Sequence, residues 1–522
     1  MMSIDKALIE IENTVTSYLT KDEDGNYILP LEQQRPIFLE GPPGIGKTAI
    51  MRQIAEKKKI ALVSYSITHH TRQSALGLPQ IKHKKYGDTE YDISEYTMSE
   101  IISSVYEMME ETGYKEGILF LDEINCVSET LTPIMLQFLQ YKVFGKHRVP
   151  KGWVVVTAGN PQLYNRSVRE FDTATLDRLK RIVIEPDFSG WLKYAKKMGI
   201  HESIINYLET KSQDFYVVRT TDKGKEVVTA RSWEDLSKMI YLYELNKIKV
   251  SKEFISQYIQ SDHIAGQYYS FYELYTQFRK KISFNAVFEN DKEAVKKMLA
   301  EITEMQNKGR FTPDKQYALI GVLLDGINAE FEKYMFKFLT ISTLKMLYRD
   351  FLNEPKYKGM SIEDYTRYQT EKLEEAVRIG EISGNTSNKE LKKHRRVLKL
   401  LGECSKIIND GSNEQAQVSS IKTHINNMYK AVKAEGINNA EKLNNIYIFC
   451  TKIFSGANFV DKITIISTNI TDNEDIALFI YCFNKECSEY FKNNRTLRLT
   501  ERMKDINKRV KEFEQKNSDG SL

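Results

Sequence analysis

The segment Gly-Pro-Pro-Gly-Ile-Gly-Lys-Thr at residues 41–48 constrains the fold of this chain more than any other stretch. An apolar run at 36–40 precedes it and predicts a buried strand, and residues 48–59 follow it with apolar positions at helical spacing. A strand, a glycine-rich turn and a helix in this order form an anion site, because backbone N–H groups can point inward. We expect Lys47 to reach the phosphates of a nucleotide and the Thr48 hydroxyl to hold Mg²⁺. A surface turn that happens to precede a lysine is the alternative.

A second motif is the apolar run at 117–121, which ends in Asp122 and Glu123. Continuous apolar residues predict a strand buried on both faces of a parallel sheet, and such sheets bind ligands at the carboxyl ends of their strands. We expect Asp122 to hold Mg²⁺, directly or through water, and Glu123 to act as general base toward the attacking water. The alternative is an ordinary acidic strand end.

Two further segments hold candidate catalytic residues. The buried strand predicted at 153–158 leads into Gly159 and Asn160, and an asparagine at this position can orient water beside a γ-phosphate. A Gly-Asn turn without a catalytic role is the alternative. Downstream, Arg178 and Arg181 lie in a basic cluster that either ends a solvated helix or completes the phosphate site of a neighbouring subunit. The sequence leaves both interpretations open.

These elements, taken in this order, resemble an AAA+ ATPase over residues ~30–245. The resemblance implies that Asn160 is the first sensor, that Arg178 or Arg181 is an arginine finger, and that Arg231 is the second sensor on a helical lid. It also implies a set of residues around the nucleotide, which are Gly41, Pro42, Pro43, Gly44, Ile45, Gly46, Lys47, Thr48, Ala49 and Arg231.

Other features resemble the MoxR branch of that family. They are an insertion after the second strand, a hairpin at 141–150, the sequence Leu-Asp-Glu-Ile-Asn at 121–125 and a Leu-Asp-Arg motif at 176–178. Two positions depart from the pattern, since Leu179 stands where phenylalanine is usual and Ala230 where proline often precedes the sensor arginine. The resemblance implies Mg²⁺ with ATP as substrate, a homo-oligomeric ring expected to be a hexamer, and a client protein, one candidate being a protein with a von Willebrand A domain.

Composition limits the class of protein. The chain has 522 residues with 41% hydrophobic and 28% charged content, which is typical of a globular protein, and a formal net charge of +4 gives no argument for nucleic-acid binding. Five scattered cysteines without a C-x-x-C pair favour reduced thiols, and neither a signal peptide nor a membrane-spanning run is evident. We therefore expect a cytoplasmic protein without a membrane partner.

The predicted fold class is an α/β P-loop NTPase, with a parallel sheet flanked by helices, a helical lid and a mostly α-helical C-terminal region. The predicted domains are the nucleotide-binding core at 1–187, the lid at 188–249 and the C-terminal region at 250–522. Further predictions are helices at 124–140, 317–346, 360–382, 388–410, 418–435, 476–491 and 497–515, hairpins at 141–150 and 216–228, and an irregular exposed insertion at 68–96.

The function predicted is Mg²⁺-dependent ATP hydrolysis coupled to remodelling or activation of a partner protein. Two alternatives from other classes remain, a nucleic-acid motor of the restriction-translocase type and a nucleotide-gated scaffold. Aromatic residues at 268–278 and a basic run at 392–396 are the segments that could contact nucleic acid. A buried helix face for the first and a solvated helix face for the second are the favoured interpretations.

Overall fold

A computed structural model describes residues 2–69, 75–164, 168–221, 224–384, 386–409, 413–454 and 473–483, together with residues 466 and 470. The chain divides into two compact units. The first contains residues 1–190, 229–231 and 375–391, and the second contains 191–228, 232–374 and 392–522. The division into a core at 1–187, a lid at 188–249 and a C-terminal region at 250–522 stays a prediction.

The first unit is built on a five-stranded parallel sheet. Its strands are β1 (Ile37–Glu40), β2 (Ala61–Ser66), β5 (Gly117–Asp122), β8 (Trp153–Gly159) and β9 (Lys180–Val183), and their spatial order is β2-β5-β8-β1-β9. Four further strands form two separate antiparallel hairpins, which are β3 (Pro79–Tyr86) with β4 (Thr89–Tyr96) and β6 (Val143–Phe144) with β7 (His147–Arg148). The parallel sheet with flanking helices confirms the predicted fold class.

The central strands are continuous apolar runs in the sequence because both of their faces are buried. All seven residues of β8 and the first five of β5 are buried, as expected for strands covered on both faces. The register pairs Ser66 with Asp122, Leu121 with Thr157, and Glu40 with Gly159. The carboxyl ends of β1, β2, β5 and β8 therefore lie along one edge of the sheet.

Helices cover the sheet of the first unit and bury its apolar residues. They are α1 (Ile4–Tyr18), α2 (Lys47–Lys58), α3 (Glu100–Thr112), α4 (Thr132–Tyr141) and α5 (Thr173–Asp177). The prediction of one helix over 124–140 was wrong. A 3₁₀ turn spans Ile124–Cys126, and α4 begins only at Thr132, with Pro133 in its first turn, where the missing N–H leaves no bond unmade.

The sequence predicted one of these two hairpins and not the other. The hairpin predicted at 141–150 is confirmed, with its turn at Gly145, whose φ is +59°. Residues 79–96 were expected to be irregular, yet they form a regular antiparallel ladder of two eight-residue strands. Every residue of β3 is exposed, so the strand carries the polar and basic side chains that the sequence shows rather than an alternating apolar pattern.

The remaining elements are mostly helical. They are α6 (Phe188–Met198), α7 (Glu202–Thr210), the hairpin β10 (Val217–Thr221) and β11 (Gly224–Val228), α8 (Ala230–Leu245), α9 (Lys252–Tyr258), α10 (Asp262–Lys281), α11 (Phe284–Phe288), α12 (Lys292–Asn307), α13 (Pro313–Asn353), α14 (Ile362–Ser383), α15 (Asn388–Asn409), α16 (Glu414–Ile453) and α17 (Glu474–Cys482). The helices predicted at 317–346, 360–382, 388–410 and 418–435 are thus present, and the first and last are longer than expected. Residues 484–491 of the helix predicted at 476–491, and the helix predicted at 497–515, lie outside the described residues.

Two long helices, α13 and α16, pack against each other in the second unit. The Tyr334 hydroxyl donates to the carbonyl oxygen of Val432 at 3.0 Å. Gly436 lets the helices approach closely, because a Cβ there would overlap Tyr334 and Phe483.

Within α10 the side chains of Tyr268, Phe271 and Tyr275 are buried, which confirms the interpretation of residues 268–278 as a core helix face. Across the described ranges, no helix is long and apolar enough to cross a membrane.

A buried carboxylate belongs to the second unit. Glu202 is 7% exposed, and its oxygens accept hydrogen bonds from Asn328 at 2.8 Å and Asn206 at 3.2 Å. Burial chiefly, and then the charges of Asp325 and Glu209, raise the pKa of Glu202 to about 8, although Lys196 opposes them. The amide oxygen of Asn206 is also buried, and it has no hydrogen-bond partner in the described part of the chain.

We expect Glu202→Gln to stabilise the second unit at pH 8 by on the order of 1 kcal/mol or more, because glutamine imitates the neutral acid. Because the pKa of Glu202 is raised in the folded state, its contribution to the free energy of unfolding is complete below the unfolded-state pKa of about 4.5. That contribution is lost as pH rises toward about 8. Denaturant unfolding at several pH values measures this effect. The variant should lose the advantage near pH 4.5, whereas Glu273→Gln, at an exposed carboxylate of α10, should behave as wild type. An equal gain at every pH would contradict the assignment.

Candidate phosphate-binding and catalytic site

The loop after β1 has the curled backbone that an anion site requires. Gly44 and Gly46 have φ values of +71° and +98°, a region that favours glycine. Gly46 precedes the first residue of α2, so the helix N-terminus opens directly onto the loop. A Cβ at Gly41 would come within 2.9 Å of Ile45 Cδ1, so the loop is closely packed at this point. The N–H of Gly41 donates to the Gly159 carbonyl oxygen at 3.2 Å. The loop is therefore fixed to the end of β8.

Lys47 is the central charge of the site. Its side chain is buried, and Nζ donates to the carbonyl oxygens of Gly41 at 2.8 Å and Pro42 at 3.0 Å and to Asn160 Oδ1 at 2.8 Å. Burial chiefly lowers the pKa of Lys47 to about 8, with Asp122 raising it and the positive charge of Arg231 lowering it further. Among the residues that the structure describes, the ammonium group thus has three acceptors beside the loop and no carboxylate within hydrogen-bond distance.

Thr48 and Asp122 bring two oxygen donors together. Thr48 Oγ1 donates to Asp122 Oδ2 at 3.4 Å, although the two residues come from α2 and β5. A hydroxyl and a single carboxylate fit Mg²⁺, which keeps several waters and takes its other ligands from phosphates. Within the described residues, no group of three or more His, Cys, Asp or Glu side chains could hold a metal ion by itself. The donor set therefore suits a metal ion that is bound together with a phosphate ligand.

Glu123 stands in a strained backbone conformation next to Asp122. Its φ is +57°, and its N–H donates to Asp122 Oδ1 at 2.9 Å. Its carboxylate accepts hydrogen bonds from Ser66 Oγ at 3.3 Å and Thr68 Oγ1 at 3.0 Å, both just after or at the end of β2. Sequence reasoning missed these two hydroxyls, because only the register of β2 against β5 brings them to the carboxylate.

Asn160 lies beside the phosphate loop, and a second asparagine contacts its backbone. Asn160 Oδ1 accepts from Lys47, whereas its carbonyl oxygen accepts from Asn125 Nδ2 at 2.9 Å. Asn125 was visible in the motif at 121–125 but was not among the predicted site residues. No spacing rule indicated its role, since the contact joins residues that lie 35 positions apart.

The two candidate finger arginines differ in their surroundings. Arg181 Nε and Nη2 both lie 2.7 Å from Glu40 Oε2, so this guanidinium is paired on the same chain. Arg178 is exposed at the end of α5, where its backbone N–H donates to the Thr175 carbonyl oxygen at 3.1 Å. Its guanidinium makes no hydrogen bond or close ion pair with any residue that the structure describes, although its charge acts on nearby Asp172. It borders a cavity of about 280 Å³ that Tyr141 and Asp172 also line. Neither arginine contacts Lys47 or Asn160 through a hydrogen bond in the described ranges.

Arg231 approaches the loop through its backbone. Its N–H donates to the Gly44 carbonyl at 3.2 Å, while its side chain is exposed. A Cβ at Gly44 would lie 2.7 Å from the Thr229 hydroxyl, so the segment at 229–231 is packed directly on the loop. Of the other predicted binding residues, Pro42 and Ile45 are buried, and Pro43 and Ala49 are half-buried. Thr229 is a contact of the loop that sequence reasoning missed.

Comparison with known families agrees with this geometry. Residues 37–184 match the family model described as the ATPase family associated with various cellular activities (AAA). The match supports an AAA+ ATPase. It begins with β1 and runs past β9, so it includes the phosphate loop, the acidic end of β5 and Asn160. Among curated proteins, none matches the chain.

The lowered pKa of Lys47 predicts a nucleotide affinity that depends on pH. If the site binds ATP, we expect its affinity for ATP to fall as pH rises through about 8, because the free protein then loses the ammonium proton that the phosphates attract. Titration of a fluorescent ATP analogue between pH 7 and 9 measures this. Lys47→Ala should bind more weakly and lose the pH dependence, whereas Lys57→Ala, at an exposed lysine of α2, should match wild type. A pH-dependent affinity that survives in Lys47→Ala would contradict the assignment.

Proposed function

We propose that this protein is a Mg²⁺-dependent ATP hydrolase of the AAA+ type, which works as a homo-oligomeric ring and remodels or activates a partner protein. One observation carries the proposal. The carboxyl ends of β5 and β8 meet the phosphate loop, so that Lys47 Nζ lies 2.8 Å from Asn160 Oδ1 and Thr48 Oγ1 lies 3.4 Å from Asp122 Oδ2. A cation, a metal-binding pair and an amide at one edge of a parallel sheet suit phosphoryl transfer to water.

Binding of ATP would replace the contacts that Lys47 makes in the loop. Backbone N–H groups of the loop and the N-terminus of α2 attract the phosphates, and the Lys47 ammonium moves from the carbonyls of Gly41 and Pro42 toward the β- and γ-phosphates. When bound, Mg²⁺ would neutralise charge on these phosphates, and Thr48 and Asp122 are the residues that would hold it. Arg231 adds a positive charge near the same loop.

Glu123 would remove the proton from the attacking water. Its carboxylate is ordered by Ser66 and Thr68, and Asn160 is the amide that orients the water against the γ-phosphate. The proton passes to Glu123 as the water oxygen bonds to phosphorus and the bond to the β-γ bridging oxygen breaks. Lys47 and the loop N–H groups stabilise the charge that develops on the leaving ADP.

Arg178 is the better candidate for a finger that acts on a neighbouring subunit. Its exposed guanidinium makes no hydrogen bond or close ion pair within the described residues, whereas Arg181 is bound to Glu40 of its own chain. An arginine that must reach a neighbour's γ-phosphate has to be exposed and unpaired before assembly. The ring, expected to be a hexamer, makes this contribution possible.

The finer parts of the proposal rest on the resemblance to the MoxR branch. They are the hexameric ring, the partner with a von Willebrand A domain, the cytoplasmic location and the lid at 188–249 that carries Arg231. The exposed hairpin at 79–96 and the hairpin at 143–148 support that resemblance, because both occupy the positions expected for the insertions of this branch. The C-terminal region at 250–522 would then transmit the motion of the ATPase to the partner protein.

Glu123→Gln should bind ATP as tightly as wild type and hydrolyse it at least about 100-fold more slowly, because the amide cannot accept the proton. Phosphate release measured at saturating ATP, together with equilibrium binding of ATP, separates the two effects. Glu129→Gln is the control, since this exposed carboxylate pairs with Arg169 outside the site. Full activity of Glu123→Gln would remove the general-base assignment.

Two arginine variants should show whether a finger residue acts in catalysis without being needed for assembly. We expect Arg178→Ala to form the same oligomer as wild type and to lose about 10³-fold in turnover, the low end of what an arginine finger contributes. Arg181→Ala should retain more activity, because it breaks a pair with Glu40 rather than a contact with the neighbour's phosphate. ATP turnover at several protein concentrations, with light scattering for mass, measures both quantities.

Two results would contradict this assignment. In the first, Arg181→Ala assembles and is inactive while Arg178→Ala is active, and Arg181 is then the finger. In the second, the wild type stays monomeric with ATP bound and its turnover per subunit is independent of concentration. That result would exclude the ring and favour the nucleotide-gated scaffold.

A further inference from the structure

We propose that Asn125 is a positioning residue of the ATPase site, which holds the main chain of Asn160 so that the Asn160 side chain stays beside Lys47. The inference rests on the proposed ATP hydrolysis and adds a residue that does not itself touch the nucleotide. Three features carry it: a hydrogen bond from the Asn125 amide to the Asn160 backbone, the burial of Asn125, and the absence of a side chain at Gly159.

The contact between the two asparagines is specific. Asn125 Nδ2 donates to the Asn160 carbonyl oxygen at 2.9 Å, and Asn125 is only 6% exposed. Its own backbone is held independently, because the Asn125 carbonyl accepts the N–H of Arg169 at 2.9 Å. The side chain can therefore be shortened while the 3₁₀ turn at 124–126 keeps its backbone contact.

Gly159 leaves the space in which the Asn125 amide lies. A Cβ at Gly159 would come within 2.7 Å of Asn125 Cγ and 2.9 Å of Nδ2, so any side chain at this position would displace the amide. Gly159 has no left-handed backbone angle, which means that the close approach of Asn125, and not its conformation, requires glycine. The carbonyl of Gly159 also accepts the N–H of Gly41. The strand end that Asn125 contacts is thus the one that fixes the phosphate loop.

The position of Asn125 joins two catalytic elements. It lies two residues after Glu123, in the turn that begins at this strained residue, and it contacts the backbone of the residue whose side chain binds Lys47. The hydrogen bond therefore sets how far the general base lies from the water-orienting amide. A change of this spacing by about 1 Å is enough to lower a reaction rate by about 10²-fold without removing a substrate contact.

Asn125→Ala in the full chain is the first test. We expect kcat for ATP hydrolysis to fall by about 10- to 100-fold, while the dissociation constant for ATP stays within about threefold of wild type. The nucleotide keeps the loop N–H groups and Lys47, so only the step that needs Asn160 suffers. Ser128→Ala is the matched control, because this exposed hydroxyl of the same loop pairs with Thr130 and makes no hydrogen bond with a site residue in the described ranges.

Gly159→Ala provides a second, independent variant. The added methyl group should displace the Asn125 amide and reproduce the loss of kcat with Asn125 still present. The double variant Asn125→Ala with Gly159→Ala should be no slower than Asn125→Ala alone, because the methyl group then meets no amide. Such non-additivity identifies the two residues as one unit. If Asn125→Ala does not fold, Gly159→Ala carries the test, with thermal unfolding as the measure of folding.

The outcomes are distinct. Wild-type kcat in Asn125→Ala, or in a folded Gly159→Ala, overturns the positioning role. A loss of ATP affinity as large as the loss of kcat also overturns it, since that is the result of a merely structural role. Absence of ATP hydrolysis in the wild type, with ATP bound, contradicts the proposed function instead. The two failures can therefore be told apart.

Discussion

The buried ammonium group of Lys47 is the interaction on which the rest of the site depends. Its three acceptors come from the phosphate loop and from the end of β8, so one charge ties together segments that are far apart in sequence. A buried cation without a carboxylate partner has a high desolvation cost, which is why its pKa falls to about 8. Under the proposed function, phosphate oxygens that approach the ammonium group would offset part of the free energy that its burial costs.

Parallel pairing gives this interaction its surroundings. Because β1, β2, β5 and β8 run in the same direction, their carboxyl ends deliver Glu40, Ser66, Asp122 and Gly159 to one edge. The edge then contains the candidate metal-binding pair, the candidate base and the candidate orienting amide, within hydrogen-bond distance of one another or of the loop. The candidate site of the first unit is therefore assembled from side chains of four separate segments.

Arginines show how tertiary contacts select among residues that look alike in sequence. Arg178 and Arg181 are three positions apart and equally basic, but strand pairing puts Arg181 opposite Phe38, where Glu40 is close enough to bind it. Arg178 ends a short helix and projects into solvent. Likewise Glu202 is one acidic residue among many in the sequence, and only helix packing buries it and raises its pKa.

The sequence by itself determined the sheet, the phosphate loop and most helices, because glycine pattern, apolar runs and helical periodicity are local properties. It also indicated the candidate site residues Lys47, Thr48, Asp122 and Glu123, because their two motifs follow strands that can lie in the same parallel sheet. Tertiary structure alone decided the contacts of Asn125 with Asn160, the hydroxyls that bind Glu123 and the start of α4 at Thr132. These contacts depend on strand register and join side chains that are far apart in sequence. Residue spacing alone therefore cannot predict them.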